Sequence, residues 1–266
     1  MVAAPSDAIE RERPLLGESS AIGERAREQH AVFLGRLAAH GVKIVNLAAD
    51  PGAPFGALCA DAAIVFPNGA FVMRPSDVAR RREVVAVEAA LQDAGIPIVG
   101  RIEAPGLLDG GDVLLAAGTA YLGVPSPRAS EIGIARSLHG NEHGREQLAA
   151  FARGLGLNVV EVALSAEVLR LRSVASLVAT RTVLYAPGLL DADSFAGLEC
   201  IEAPRGEDYA AGVLALGGRR VIANVRFRQT IPRLRAAKIA VDAIDLWEFG
   251  KIGATPSSLA LVLKRG

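Results

Sequence analysis

The run Arg101–Leu115, RIEAPGLLDGGDVLL, holds the residues best suited to chemistry. A strand brings the chain to Asp109, two glycines follow, and Asp112 opens the next strand. Glycines beside a carboxylate let the backbone approach a ligand closely. The same pattern also suits a turn selected for its sterics, with the aspartates as caps, and spacing alone leaves both readings open. Cys59 sits in an apolar run and reads as a core thiol. His139 and His143 have the H-x₃-H spacing of a metal pair. Glycines flank them and no third ligand is in view, so a solvated loop is expected and no metal site. No cofactor motif is expected either.

These residues need elements to position them, and the chain repeats one unit. VAAPSDAIERER (Val2–Arg13) and VMRPSDVARRRE (Val72–Glu83) both run from an apolar strand end through Pro-Ser-Asp into a charged helix. YLGVPSPRASEIG (Tyr121–Gly133) is a third copy, VLYAPGLLDADSF (Val183–Phe195) a fourth, and VIANVRFRQTIPRL (Val221–Leu234) a fifth without the early Pro-Ser. Proline presets the turn, and Ser or Asp caps the helix that follows. A further strand is expected after each helix, at Val42–Leu47, Ile96–Val99, Val159–Val162, Glu199–Ile201 and Val241–Ile244. Hairpins are expected across Pro67–Gly69 and across Ala-Gly-Thr after Leu115. The spacing predicts an α/β fold of five ββαβ modules around a pseudo-fivefold axis, one domain over residues 1–266, with a ligand site in the central channel. The alternative, a doubly wound sheet, would need long crossovers where these hairpins stand. The first module is expected to be clipped, its opening strand short or missing.

LDGGDVL followed by YLGVPSPRAS resembles the dimethylargininase pattern, a branch of the guanidino-group-modifying enzymes. RPSDVARRRE, VLRLRS (Val168–Ser173), EDYAAGVLAL (Glu207–Leu216) and EFGKIGATPSSLAL (Glu248–Leu261) extend the likeness in order along nearly the whole chain. The resemblance implies the five-module propeller called a pentein and hydrolysis of methylated arginines to citrulline. It also implies a thiolate nucleophile, a histidine acid/base and carboxylates that hold the guanidinium. The nucleophile position falls on Ser258, or on Ser257 with one deletion, and the histidine position on Arg170. Serine needs a base to attack at neutral pH, and arginine cannot act as one. Of the acidic stretch only Asp61 matches, with Phe55 and Ala60 replacing acids. Asp109 matches the carboxylate beside the histidine, so Arg170 is expected to pair with it and fill the site. Arg80 and Arg128 match the arginines that grip the substrate's α-carboxylate, a task suited to their forked guanidinium.

The leading expectation is a non-catalytic member of this family that binds an amino acid or other carboxylate, or partners an active protein. The alternatives are an enzyme of altered chemistry using Asp61, Asp109, Arg170 and Ser258, or an arginine hydrolase with a shifted nucleophile. Family members are often dimers, so the resemblance suggests a homodimer.

Composition narrows the partners. Lys+Arg and Asp+Glu both number 29 in 266 residues, so neither nucleic acid nor a membrane surface is an expected partner. With 51% apolar residues and 22% charged, a sizeable core is affordable. There is no long uninterrupted apolar run and no signal-peptide pattern, and two cysteines make no disulfide framework. A cytoplasmic protein is the expectation.

Overall fold

Residues 1–126 and 140–264 are described by the computed structural model. Strand β1 (Val2–Ala3) leads through a short 3₁₀ turn at Asp7–Arg11, capped by Ser6, to helix α1 (Gly23–Ala39) and back to β2 (Asn46–Leu47), which pairs parallel with β1. Helix α1 buries Ala26, His30, Phe33 and Leu37, the three-four spacing of one helical face.

The other modules add an antiparallel hairpin ahead of the parallel strand. β3 (Ala63–Phe66) and β4 (Gly69–Val72) form the first hairpin, and helix α2 (Arg81–Asp93) returns the chain to β5 (Ile98–Arg101) beside β4. β6 (Val113–Ala116), β7 (Thr119–Pro125), helix α3 (Glu142–Gly154) and β8 (Asn158–Leu164) repeat the order. The short helix α4 (Leu171–Val174) introduces β9 (Ala175–Ala179), β10 (Thr182–Tyr185) and β11 (Glu199–Glu202). β12 (Leu214–Gly217), β13 (Arg220–Asn224), helix α5 (Thr230–Ala236) and β14 (Ala240–Ile244) complete the set, before helix α6 (Trp247–Lys251). Among the described residues the result is one two-stranded and four three-stranded sheets, each of the latter mixed in direction. This is the expected ββαβ repeat.

Three details differ from expectation. Ser76 and Asp77 do not cap α2, which begins at Arg81 without a side-chain cap; Asp77 Oδ1 instead accepts from Ala79 N at 2.8 Å in the turn ahead of it. No α-helix forms between β10 and β11; a 3₁₀ turn at Ala192–Phe195 takes its place. Pro187 and the left-handed Gly188 and Gly197 deny that segment a continuous helix, while Phe195, 1% exposed, fills the core where a helix face would. The first module lacks its own opening strand, as expected, but the channel edge there is closed by the C-terminal segment, which was not expected. Met1 N donates to Leu261 O at 2.8 Å, and Leu261 N donates to Met1 O at 2.9 Å. Chain ends far apart in sequence thus share one module.

The first strands β3, β6, β9 and β12, together with residues 260–262, surround a central cavity of about 150 Å³. Arg172 and Ser257 also line it. Apolar clusters fill the space between modules, the largest spanning Leu114 to Ile239.

Candidate functional site

Each first strand is preceded by a tight turn, and these turns meet one another around the axis. They are Cys59–Asp61, Gly110–Asp112, α4, Asp208–Ala211 and residues 255–258. Ala60 N donates to Ser258 O at 3.2 Å, Ser257 N to Gly212 O at 3.1 Å, and Leu171 N to Asp112 Oδ1 at 3.0 Å. Arg172 adds bonds from its guanidinium to the carbonyls of Ala60 and Ser257. Residues far apart in sequence converge because the modules are copies and each offers the same turn.

The glycines of LDGGD make this approach close. A Cβ on Gly110 would lie 2.4 Å from Ala60 O, and one on Gly111 would lie 2.7 Å from Asp61 Oδ1 and 3.0 Å from Arg170 Cγ. Close approach therefore accounts for the glycines, and the carboxylates beside them are not mere caps.

The turns assemble a buried ionic cluster. Asp109 and Asp112 are 0% exposed, and Asp61 is nearly so. Arg80, at the start of α2, points inward: its Nη1 lies 3.1 Å from Asp61 Oδ2 and 3.5 Å from Asp109 Oδ1, and its Nε 3.1 Å from Glu83 Oε2. The Phe55 ring lies against the Arg80 guanidinium, 5.2 Å from its carbon. Arg170 enters from the other side. Its Nη2 is 3.2 Å from Asp109 Oδ2, its Nε 3.9 Å from Asp112 Oδ2, and its Nη1 donates to Leu169 O at 2.7 Å.

The two guanidiniums are held differently. Arg80 makes aligned hydrogen bonds to Asp61 and Glu83. The Arg170 contacts are ionic without alignment: neither Asp109 oxygen nor Arg170 Nε has a hydrogen-bond partner.

Two arginines thus face four carboxylates, and the balance is visible in their ionisation. Burial pushes the Glu83 carboxyl up to about 7, although Arg80 pulls it down. Burial likewise pushes Asp109 up, against the pull of Arg170 and Arg80. Burial weighs against both arginine charges, yet Asp61 chiefly holds Arg80, and Asp109 chiefly holds Arg170, above the usual arginine range. Both guanidiniums therefore stay charged.

Ser258 Oγ accepts from Thr255 N at 3.3 Å and lies 3.4 Å from Thr255 Oγ1; Ser257 Oγ donates to Arg172 O at 3.0 Å. None of these partners is a base. Cys59 is buried with its thiol toward Met1 O and Leu259 O, and burial pushes its pKa up, as in a core cysteine. Arg128 and His139 lie outside the described residues. His143 is on α3 with Glu146 as its ionic neighbour, and no metal-binding group of His, Cys, Asp and Glu occurs among the described residues. The site therefore gathers Asp61, Arg80, Asp109 and Arg170, while the Ser258 hydroxyl stays within its own turn and the Ser258 carbonyl accepts from Ala60 N. Glu83 and Asp112 were not anticipated as ionic partners. Their signals were faint: Glu83 is one helical turn after Arg80, and Asp112 is one turn after Asp109.

No protein-family model matches the chain. Among curated proteins, N(G),N(G)-dimethylarginine dimethylaminohydrolase of Streptomyces coelicolor is 31% identical over 239 residues, covering 90% of this chain and 86% of that protein. The chain belongs to the dimethylarginine dimethylaminohydrolase family. The Pseudomonas aeruginosa enzyme of the same name is 27% identical over 89% of this chain and 88% of its own length. A solved structure of the P. aeruginosa protein, a cysteine-to-serine mutant complexed with citrulline, superposes with a TM-score of 0.87 at 25% identity. It covers 98% of this chain and 96% of its own. The pentein fold follows, shared with a family of arginine-modifying hydrolases. No helix among the described residues is long and apolar enough to cross a membrane.

Proposed function

We propose that this dimethylarginine dimethylaminohydrolase family member does not hydrolyse arginine derivatives, and that its site is held by an internal cation. One observation carries the reading: the Arg170 guanidinium lies 3.2 Å from Asp109, inside the acid cluster. By resemblance that is where the acid/base histidine would stand, and Asp109 would orient it. A permanent cation there can neither take a proton from a nucleophile nor leave room for a substrate guanidinium. The nucleophile position supports the same reading. Ser258 hydrogen-bonds within its own turn, and a hydroxyl without a base is a poor nucleophile at neutral pH.

The activity that remains to such a protein is binding of a small arginine-like ligand, or association with another protein. The P. aeruginosa relative in its cysteine-to-serine form is complexed with citrulline, which favours the first. The test is incubation of the purified protein with dimethylarginine, monomethylarginine and arginine, with citrulline measured alongside calorimetric binding. No citrulline is expected from the native chain. Citrulline that disappears on Ser258→Ala or Asp109→Ala would overturn the reading and reveal a hydrolase with a serine or carboxylate at its centre.

A further inference from the structure

A second cavity, of about 500 Å³, lies between helix α1 and the end of β14 and shares no residue with the ionic cluster. Helix α1 gives it Arg25, Gln29, Val32 and Arg36. Their three-four spacing puts them on one face, beside the face that buries Ala26, His30, Phe33 and Leu37. Arg226, just after β13, and the start of α6 supply the opposite wall.

Three guanidiniums and three carboxylates line this cleft, and bonds within the protein answer most of that charge. Glu248, its side chain 4% exposed, accepts from Lys251 Nζ and from Ile22 N, both at 2.8 Å. Asp245 accepts from Trp247 N at 2.9 Å and faces Arg226 Nε at 3.7 Å. The Arg226 guanidinium is held over the Trp247 ring, 5.1 Å from its centroid. Arg25 and Arg36 remain, against Glu28. None of these three side chains has an ion pair or hydrogen bond among the described residues. Two arginines less one glutamate leave a single positive charge.

Val32 lies between the two arginines along the helix and is 51% exposed, although large and apolar. Ala243 and Ile244 add apolar surface to the lining. Such a cleft suits an amphipathic anion. An apolar body over Val32 removes hydrocarbon from water, and an arginine fork takes the carboxylate. One net positive charge matches a monoanion better than a doubly charged phosphate.

We propose that this cleft binds a small monocarboxylate with an apolar body, such as a short fatty acid. Arg25 and Arg36 supply the charge and Val32 the apolar contact. The proposal is independent of the reading given to the ionic cluster, because the two sites have no side chain in common.

The experiment titrates the full chain with hexanoate and follows the emission of Trp247, the sole tryptophan, with calorimetry alongside. Acetate, 1-hexanol and inorganic phosphate are titrated at the same ionic strength. Hexanoate is expected to bind with roughly millimolar affinity or tighter, and to shift the Trp247 emission through Arg226. The double variant Arg25→Gln with Arg36→Gln, and separately Val32→Glu, should each weaken hexanoate roughly tenfold or more. These side chains are exposed, so both variants should fold, which circular dichroism checks first. Acetate and 1-hexanol should each bind more weakly than hexanoate. Hexanoate that does not bind, or that binds both variants as it binds the native chain, would overturn the site. Acetate equal to hexanoate would overturn the apolar contact, and 1-hexanol equal to it would overturn the role of the arginines. Tighter binding of phosphate would overturn the monocarboxylate class. Calorimetric binding without a change in emission would overturn the assignment to this cleft.

Discussion

Glu83 lies at the heart of the ionic cluster with its side chain 8% exposed, and its replacement by glutamine tests how burial and pairing compete there. The carboxyl is raised from an ordinary 4.5 to about 7, burial outweighing the attraction of Arg80. A group whose pKa is higher folded than unfolded favours the folded state most when protonated. Its contribution is intact below about pH 4.5 and is lost as pH rises through about 7. A displacement of that size corresponds to about 3 kcal/mol. The side chain is too buried for solvent to screen much of it. Arg80 pulls the other way, since an ionised Glu83 helps it keep its charge, but that attraction is already counted against the burial cost. Glu83→Gln keeps the shape and an acceptor for Arg80 Nε while removing the charge. It should therefore match the native chain near pH 4.5 and exceed its stability at pH 8 by up to about 3 kcal/mol. For a chain of this size that is on the order of 6–12 °C in Tm. Urea unfolding can be followed by the fluorescence of Trp247, the sole tryptophan, and checked by circular dichroism. A variant less stable than the native chain at pH 8, with no change between the two pH values, would refute the reasoning. It would mean that the Arg80–Glu83 attraction exceeds the cost of burying the charge.

Other outcomes follow from packing and exposure. Gly111→Ala should destabilise the fold by about 1–3 kcal/mol, because its Cβ would stand 2.7 Å from Asp61 Oδ1 and 3.0 Å from Arg170 Cγ. Chemical denaturation measures this, and a neutral substitution would show that the turns are looser than drawn. Of the two thiols, exposed Cys200 should react with an aromatic disulfide reagent in the native state, while Cys59 should react only on unfolding. Rapid titration of both thiols would mean that the first module opens readily.

The five-module architecture could be read along the chain because it is a matter of local repetition. Each hairpin is set by its turn, as at Pro67–Gly69, and the parallel return strand by the chain after a helix, as at β5 after α2. Local reading failed where a segment's partner was distant. The opening edge of the first module is made with Leu261, and no local pattern at Met1 could announce it. In the fourth module Pro187 and the glycines around it outweighed the repeat and left a 3₁₀ turn.

The types of the site residues were likewise fixed by sequence. Serine at 258, arginine at 170 and phenylalanine at 55 are facts of the chain, as are the acids at 61 and 109. What these groups do to one another was decided by the tertiary structure. The sequence placed Arg80 among three arginines at the start of a helix, equally suited to solvent or to a ligand's carboxylate. Packing turned it inward to Asp61, Asp109 and Glu83, while Arg82 stayed outside with Asp50. The physical reason is that buried charge cannot remain unpaired. When the turns bring Asp61, Asp109 and Asp112 out of water beside Glu83 of α2, nearby guanidiniums are drawn to them, and which arginines lie within reach is a property of the closed ring and not of the sequence.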